Sequence, residues 1–380
     1  MTKLEYDIAV IGAGMAGASI AAELSKTHSV VVIEREDQPG YHSTGRSAAL
    51  FSEIYGNDVV RALTRASRQF LFDPPRGFAS APLVRTRGTM FIARQDQRQA
   101  LDTLANLPEA AAAVTRLSAV EARSVCPALR EGYAVAAIHE SASVDIEVHE
   151  LHQGYLRRLR ASGGVVVLGA RDLRIDRVPG GWRMATPDQE IRASILVNAA
   201  GAWADEIAKQ VGVPLLGLTP RKRTAILVDV SPSFDAGKWP FVVDIDEQFY
   251  FKPDAGLLLL SPADETPSQP LDVWADELDI AIAIDRVTAA TNLDIRRVKH
   301  SWAGLRSFVA DRSPVVGFAD AREDFFWLAG QGGYGIQTAP ALARAAGAIL
   351  RGVDFPTDLA DLGLNANMLS PHRLLATAAP

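Results

Sequence analysis

Residues 6–48 read YDIAVIGAGMAGASIAAELSKTHSVVVIEREDQPGYHSTGRSA, and this stretch decides the fold. Asp7 to Ile11 is a short apolar run that predicts a buried strand. Met15 to Ser25 predicts a helix with small residues on its sheet-facing side, and Val30 to Glu34 predicts a second buried strand. Gly12, Gly14 and Gly17 lie between the first strand and the helix in the order G-x-G-x-x-G. The first glycine permits a tight turn, the second lets a pyrophosphate approach the backbone, and the third lets helix and strand pack closely. A phosphate placed there meets the positive end of the helix dipole. Glu34 closes the second strand 22 residues beyond Gly12 (34 − 12), where a carboxylate can accept hydrogen bonds from a ribose. The spacing points to a dinucleotide, and NAD and FAD share it.

The chain has 380 residues, which suits two domains better than one core. With 48% hydrophobic and 22% charged residues it belongs among folded proteins. No apolar run approaches the roughly 18 residues of a spanning helix, and MTKLEYD enters a strand without a signal-like apolar segment, so the expectation is cytoplasmic. Cys126, the single cysteine, excludes an intramolecular disulfide and a thiolate metal cluster, and no metal site is expected. The net charge of −6 with scattered basic residues excludes a nucleic-acid footprint and leaves a small molecule as partner.

The predicted class is α/β, with a discontinuous Rossmann-like domain and an inserted α+β domain built on an antiparallel sheet. From about Asn57 to Ser141 the texture becomes mixed and turn-rich. DIEVHELHQGYLRRLRASGG then predicts a helix, VVVLGA a buried strand, and SILVNAAGAWADEIAKQVG a strand, a turn and a helix. Pro220 to Trp302 reads as strands, and FFWLAGQGGYGIQTAPALARAAGAILRG as a strand, a glycine turn and a long helix. The nucleotide domain is therefore assigned to 1–56, 142–215 and 308–380, and the second domain to 57–141 and 216–307.

Three later segments favour FAD over NAD. Glu34 and Arg35 lead into a polar loop whose His42, Ser43, Thr44, Arg46, Ser47 and Ala48 suit a pyrophosphate and a flavin. ILVNAAGAW, with Ala200 and Gly201, resembles the turn beneath the adenine side of such a cofactor. GQGGYGIQTAP aims a helix N-terminus at something anionic, with Gly332, Gly335, Ile336 and Gln337 assigned to the cofactor and Gln337 supporting the turn. VIGAGMAGAS, GYHSTGRSAA, LVNAAGAW, SWAGLRSFVADRSPVVGF and GQGGYGIQTAP, in this order over essentially the whole chain, resemble the D-amino-acid oxidase and dehydrogenase family of flavoproteins, which includes glycine and sarcosine oxidases. The wording is most similar to that of the bacterial D-arginine dehydrogenase group. Cys126 falls in none of these motifs, so noncovalent FAD is expected.

The resemblance implies the substrate residues. Arg306 matches the arginine that grips a substrate carboxylate, a task suited to a planar guanidinium with two parallel donors. Arg223, Tyr250 and Tyr55 match further carboxylate contacts and a lid, and the carbonyl of Gly333 matches the acceptor of the substrate amine. Arg221 and Lys222 read as solvated or structural, although a one-residue slip would exchange them with Arg223. His42 enters as a cofactor contact only and His300 as a structural residue, because hydride transfer needs no strong base.

The chain also departs from the D-arginine dehydrogenase pattern. Thr89 stands where those relatives place the glutamate that pairs with the substrate guanidinium, with basic Arg85 and Arg87 nearby. SAALFSE replaces a histidine-bearing lid, so that Leu50 and Phe51 make the entrance more apolar. Glu53 and Asp244 read as solvent-facing. The expected reaction is oxidation of a D-amino acid with a neutral or hydrophobic side chain to an imino acid, then to a 2-oxo acid and ammonia. A secondary amine such as sarcosine, or glycine, is the alternative substrate, and a non-catalytic flavoprotein the alternative class. The electron acceptor is a quinone or respiratory carrier, reached by loose membrane association, or dioxygen.

Overall fold

The protein was analysed as a computed structural model, which describes residues 2–187, 189–320 and 323–375. Thr2–Ile11 lies at the centre of a parallel array. Val30–Ile33 and then Val165–Val167 follow on one side, and Gln189–Asn198 and then Phe325–Ala329 on the other, all parallel. Ile11 stands in register with both Ile33 and Asn198. Gly12, Glu34 and Ala199, the next residue of each strand, therefore emerge together at one carboxyl edge, where doubly wound sheets bind ligands. The hairpin Arg174–Val178 and Gly181–Ala185 and the strand Val315–Phe318 extend this sheet antiparallel. Val165–Val167 is only half-buried, because it forms the sheet edge rather than an interior strand.

Helices Met15–Leu24, Val148–Ala161 and Gly335–Arg351 pack together on this sheet. Helix Asp58–Phe72, placed by sequence in the second unit, lies along Gly335–Arg351 and gives Ala62 and Leu63 to the same core. Its apolar face matches that core, and chain order alone does not say which sheet a helix covers.

The second sheet runs in the order Val298–Phe308, Thr219–Val228, Leu257–Ser261, Tyr250–Asp254, Phe241–Asp244, Thr89–Ala93, Ala136–Glu140, Thr115–Ser118. Its pairs are antiparallel except Phe241–Asp244 with Thr89–Ala93, which is parallel and joins two distant chain segments. Helix Glu277–Ala290, in a region read as strands, covers this sheet through Ala283, Val287 and Ala290. Asp276 caps it by accepting from the Asp279 N–H at 2.9 Å. Leu50–Phe51, Val144–Ile146 and Val84–Thr86 form a small third sheet.

A Cβ on Gly17 would fall on the carbonyl oxygen of Gly12, so the helix can lie this close to the turn only with glycine there. Gly17→Ala is expected to destabilise the protein by about 2 kcal/mol and to lower bound flavin per chain, as checked by thermal unfolding and flavin absorbance.

Candidate active site

A cavity of about 390 Å³ opens at the carboxyl edge of the first sheet. Gly12, with φ +98°, turns the chain beneath it, and a Cβ there would lie 2.6 Å from the Ala199 oxygen. Gly14, Met15 and Ala16 bring the helix N-terminus to the wall. Glu34 is buried and lines the cavity, its carboxylate accepting from the N–H of Ala13 at 2.7 Å and of Glu36 at 3.0 Å. Thr44 Oγ1 accepts from the Met15 N–H at 2.9 Å and so ties the polar loop to the helix end. From the helix Val148–Ala161, buried His152 bonds through Nε2 to the Ala13 oxygen at 2.9 Å. Burial lowers its pKa, which favours a neutral ring donating to that carbonyl.

The loop after Glu34 is held from both domains. Ser43 Oγ donates to the Leu305 oxygen at 2.6 Å, and Arg46 donates to the oxygens of Val273 at 3.1 Å and Ala303 at 3.0 Å. Arg46 also pairs with Asp272, so its guanidinium is committed to protein while the residue lines the cavity. His42 Nε2 lies 3.0 Å from Glu36 Oε1 and its ring packs on Trp203, over which Arg35 also stands. Ser47, Ala48, Ala200, Gly201, Gly332, Gly335 and Ile336 complete the expected lining. Two assigned residues lie elsewhere: Gly17 is behind the wall, against Gly12, and Gln337 lines a neighbouring chamber instead. Trp203 and Tyr41 line the cavity and were not singled out by sequence, although both stand inside quoted motifs. Cys126 is buried in the second core and lines neither space.

The neighbouring chamber, about 50 Å³, shares Tyr250, Arg306 and Gly333 with the large cavity. Leu50, Phe91, Phe241, Val243 and Ile336 give it apolar walls, and Tyr55, Glu247 and Gln337 give it polar ones. The Arg306 guanidinium lies flat against Gly333, where a Cβ would stand 2.8 Å from its terminal nitrogen. Desolvation opposes its charge, but Tyr55, Tyr250 and Glu247 outweigh that and hold it protonated, raised above its ordinary range. Burial and Glu247 push the Tyr55 phenol upward, so it stays neutral, and its hydroxyl donates to Glu247 at 3.3 Å.

Arg223 is 6% exposed, lines the large cavity and stands over the Tyr250 ring. Its Nε donates to the Asp264 oxygen at 2.8 Å and a terminal nitrogen pairs with Glu265 at 3.4 Å, so the protein already takes part of its donor capacity. Arg221 bonds to the Glu265 oxygen and Lys222 pairs with Asp276 and Asp279. Neither lines the cavity, whereas Arg223 does.

Thr89 is buried against Ser143 and does not reach the chamber, while Arg87 pairs with Asp145 and Arg85 with Glu147. Phe51 packs in a separate core and His300 is exposed on its strand. Glu53 pairs with Arg68 at 2.8 Å. Asp244, expected at the surface, is fully buried, because its carboxylate accepts from Gln97, Arg94 and the N–H groups of Asp246 and Gln248 in its own turn. That turn sends Glu247, at φ +53°, to the chamber as its one carboxylate among the described residues. The acid-rich DIDEQ before Tyr250 was the available signal for Glu247.

The sequence profile of the family described as FAD dependent oxidoreductase (DAO) matches residues 7–349. The chain belongs to this family. The flavoprotein is 24% identical to the glycine oxidase of Pseudomonas aeruginosa over 366 residues, covering 91% of this chain and 94% of that one. Its fold is that of glycine oxidase from Geobacillus kaustophilus, with a TM-score of 0.81, 20% identity, and 95% and 99% of the two chains covered. L-proline dehydrogenase from P. horikoshii gives a TM-score of 0.82 at 19% identity with both chains covered in full. The flavoprotein is thus an FAD-dependent oxidoreductase. Among its described residues, no helix is long and apolar enough to cross a membrane.

Buried Glu140 anchors the segment that carries Leu50 and Tyr55, accepting from Ser52 Oγ at 2.6 Å and the Glu53 N–H at 2.9 Å. Burial pushes its pKa up from 4.5 to about 7 despite those bonds. The folded state therefore binds this proton more tightly than the unfolded state. The associated stability is complete below pH 4.5 and is lost as pH rises through about 7. Glu140→Gln is expected to remove a fall on the order of 2 kcal/mol between pH 5 and 8, measured as the difference between wild-type and variant denaturant unfolding at each pH.

Proposed function

We propose that this flavoprotein oxidises a D-amino acid with a short neutral or hydrophobic side chain to its imino acid, which water hydrolyses to a 2-oxo acid and ammonia. The observation that carries this reading is Arg306, held charged where a cofactor-sized cavity meets a small apolar chamber. The first sheet and its glycine turns would hold FAD noncovalently, with Glu34 on the ribose and the helix N-terminus at Gly14 to Ala16 on the pyrophosphate. Bound FAD supplies a two-electron acceptor for the hydride that leaves the substrate Cα.

The chain's own groups bind and orient. Arg306 takes the carboxylate through paired N–H donors, and Arg223 and Tyr250 flank it. Tyr55 closes over the bound molecule from its segment. The Gly333 carbonyl accepts from the substrate nitrogen once the ammonium has released a proton to water, and the lone pair so left forms the C=N bond as the Cα–H bond breaks and its hydride departs. The D configuration rests on the wording shared with bacterial D-arginine dehydrogenases. Two observations turn the reading away from arginine itself: Thr89 bonds to Ser143 away from the chamber, and a chamber of about 50 Å³ holds a side chain of only about three to five heavy atoms. The glycine oxidases among the relatives favour glycine or a secondary amine as a second reading, in which the apolar chamber is left unfilled.

Anaerobic mixing of the yellow protein with D- and L-amino acids, glycine and sarcosine is expected to bleach the flavin fastest with D-amino acids of valine to leucine size. Faster bleaching by sarcosine, glycine or L-amino acids would overturn the reading, and the rate of recolouring in air separates dioxygen from a quinone or respiratory carrier as acceptor. Gly333→Ala, which drives a Cβ against the Arg306 guanidinium, is expected to raise KM about tenfold or more, since a roughly 1 Å misplacement of a clamp is enough for such a loss.

A further inference from the structure

Gln337 stands in the first turn of helix Gly335–Arg351, 3% exposed, on the wall of the small chamber. The Ser52 N–H donates to its Oε1 at 3.1 Å. That bond requires an acceptor, so it decides which way round the amide lies and leaves Nε2 on the other side. Nε2 is buried and has no hydrogen-bond partner among the described residues. A buried N–H without an acceptor is destabilising, and such groups are uncommon unless a ligand or water completes them. Leu50, Phe91, Phe241 and Val243 on the chamber walls carry no side-chain acceptor, and the oxygens of Ser47, Tyr55, Glu247 and Tyr250 there make no hydrogen bond to Nε2. Ser52 is itself fixed from behind, because its hydroxyl donates to buried Glu140. The amide is therefore held in one orientation, with an unpartnered donor on a residue that lines the space where a substrate side chain would lie.

We propose that Gln337 is the specificity-determining residue of the chamber, its Nε2 donating to a neutral oxygen on the substrate side chain. The class selected, which rests on the D-amino-acid reading above, is short side chains bearing an ether, hydroxyl or amide oxygen on an otherwise apolar frame. A hydrocarbon side chain of equal size displaces any water from Nε2 and offers nothing in return. An acidic side chain meets Glu247 on the same wall, which disfavours a second negative charge.

The test uses the FAD-loaded enzyme and two pairs of matched size, O-methyl-D-serine with D-norvaline and D-asparagine with D-leucine. The first pair differs only by an ether oxygen in place of a methylene, so it probes a donor on the protein and nothing else. The ratio of kcat/KM within each pair is measured for the wild type, Gln337→Met and Gln337→Glu. Gln337→Glu keeps an acceptor for the Ser52 N–H and removes the donor, which separates substrate recognition from support of the lid segment. The expected result is a wild-type ratio favouring the oxygen-bearing member that falls about tenfold in both variants for the first pair. Turnover of both members with the same ratio in all three proteins overturns the assignment of Gln337 and leaves the D-amino-acid reading standing. Failure of every D-amino acid to reduce the flavin, with reduction by sarcosine or an L-amino acid, overturns both.

Discussion

Arg306 carries its charge at the junction of two cavities, and keeping a guanidinium there constrains the elements around it. A charge removed from water needs compensating groups within a few ångströms. Tyr55, Tyr250 and Glu247 supply them from two separate segments. The planar group also needs a flat surface, and Gly333 provides it because no side chain intervenes. The segment carrying Tyr55, the acid turn before Tyr250 and the terminal glycine turn therefore converge on one side chain.

The strand Val298–Phe308 makes this convergence possible. It pairs along its whole length with Thr219–Val228 in the second sheet. Its residues 303–307 also reach the first domain: the oxygens of Ala303 and Leu305 accept from Arg46 and Ser43, and the Ser307 oxygen accepts from the Gly332 N–H. The same few residues thus tie down the polar loop and the glycine turn and carry Arg306. Motion of this strand would move all three together, which links cofactor geometry to substrate geometry through backbone rather than flexible side chains.

Two guanidiniums, Arg306 and Arg223, line the large cavity. Arg306 faces the shared space, whereas Arg223 has given part of its donor capacity to the Asp264–Glu265 turn, where Glu265 also holds Arg312 at 2.8 Å. Glu140, Ser52 and Gln337 form one hydrogen-bonded line from the second sheet to the long C-terminal helix.

By itself the sequence determined the nucleotide half of this protein. Strand, G-x-G-x-x-G, helix, strand and terminal acid occupy one short contiguous segment, so local spacing alone places Gly12, Gly14 and Glu34 at one edge. The quoted motifs also carried Arg306, Tyr250, Arg223 and the glycine turn, all of which the fold brings to the shared cavity. Only the tertiary structure decided the rest. Asp244 is buried and Glu247 faces the chamber because one turn swaps neighbouring acids between core and site, and acid-rich text does not reveal which way a turn points. Helix Asp58–Phe72 joined the first core, and Thr89 turned away to Ser143, because each found its partner far along the chain. Gln337 reads as a cofactor neighbour from its motif, yet Ser52, 285 residues away, orients its amide and gives its side chain to the other chamber.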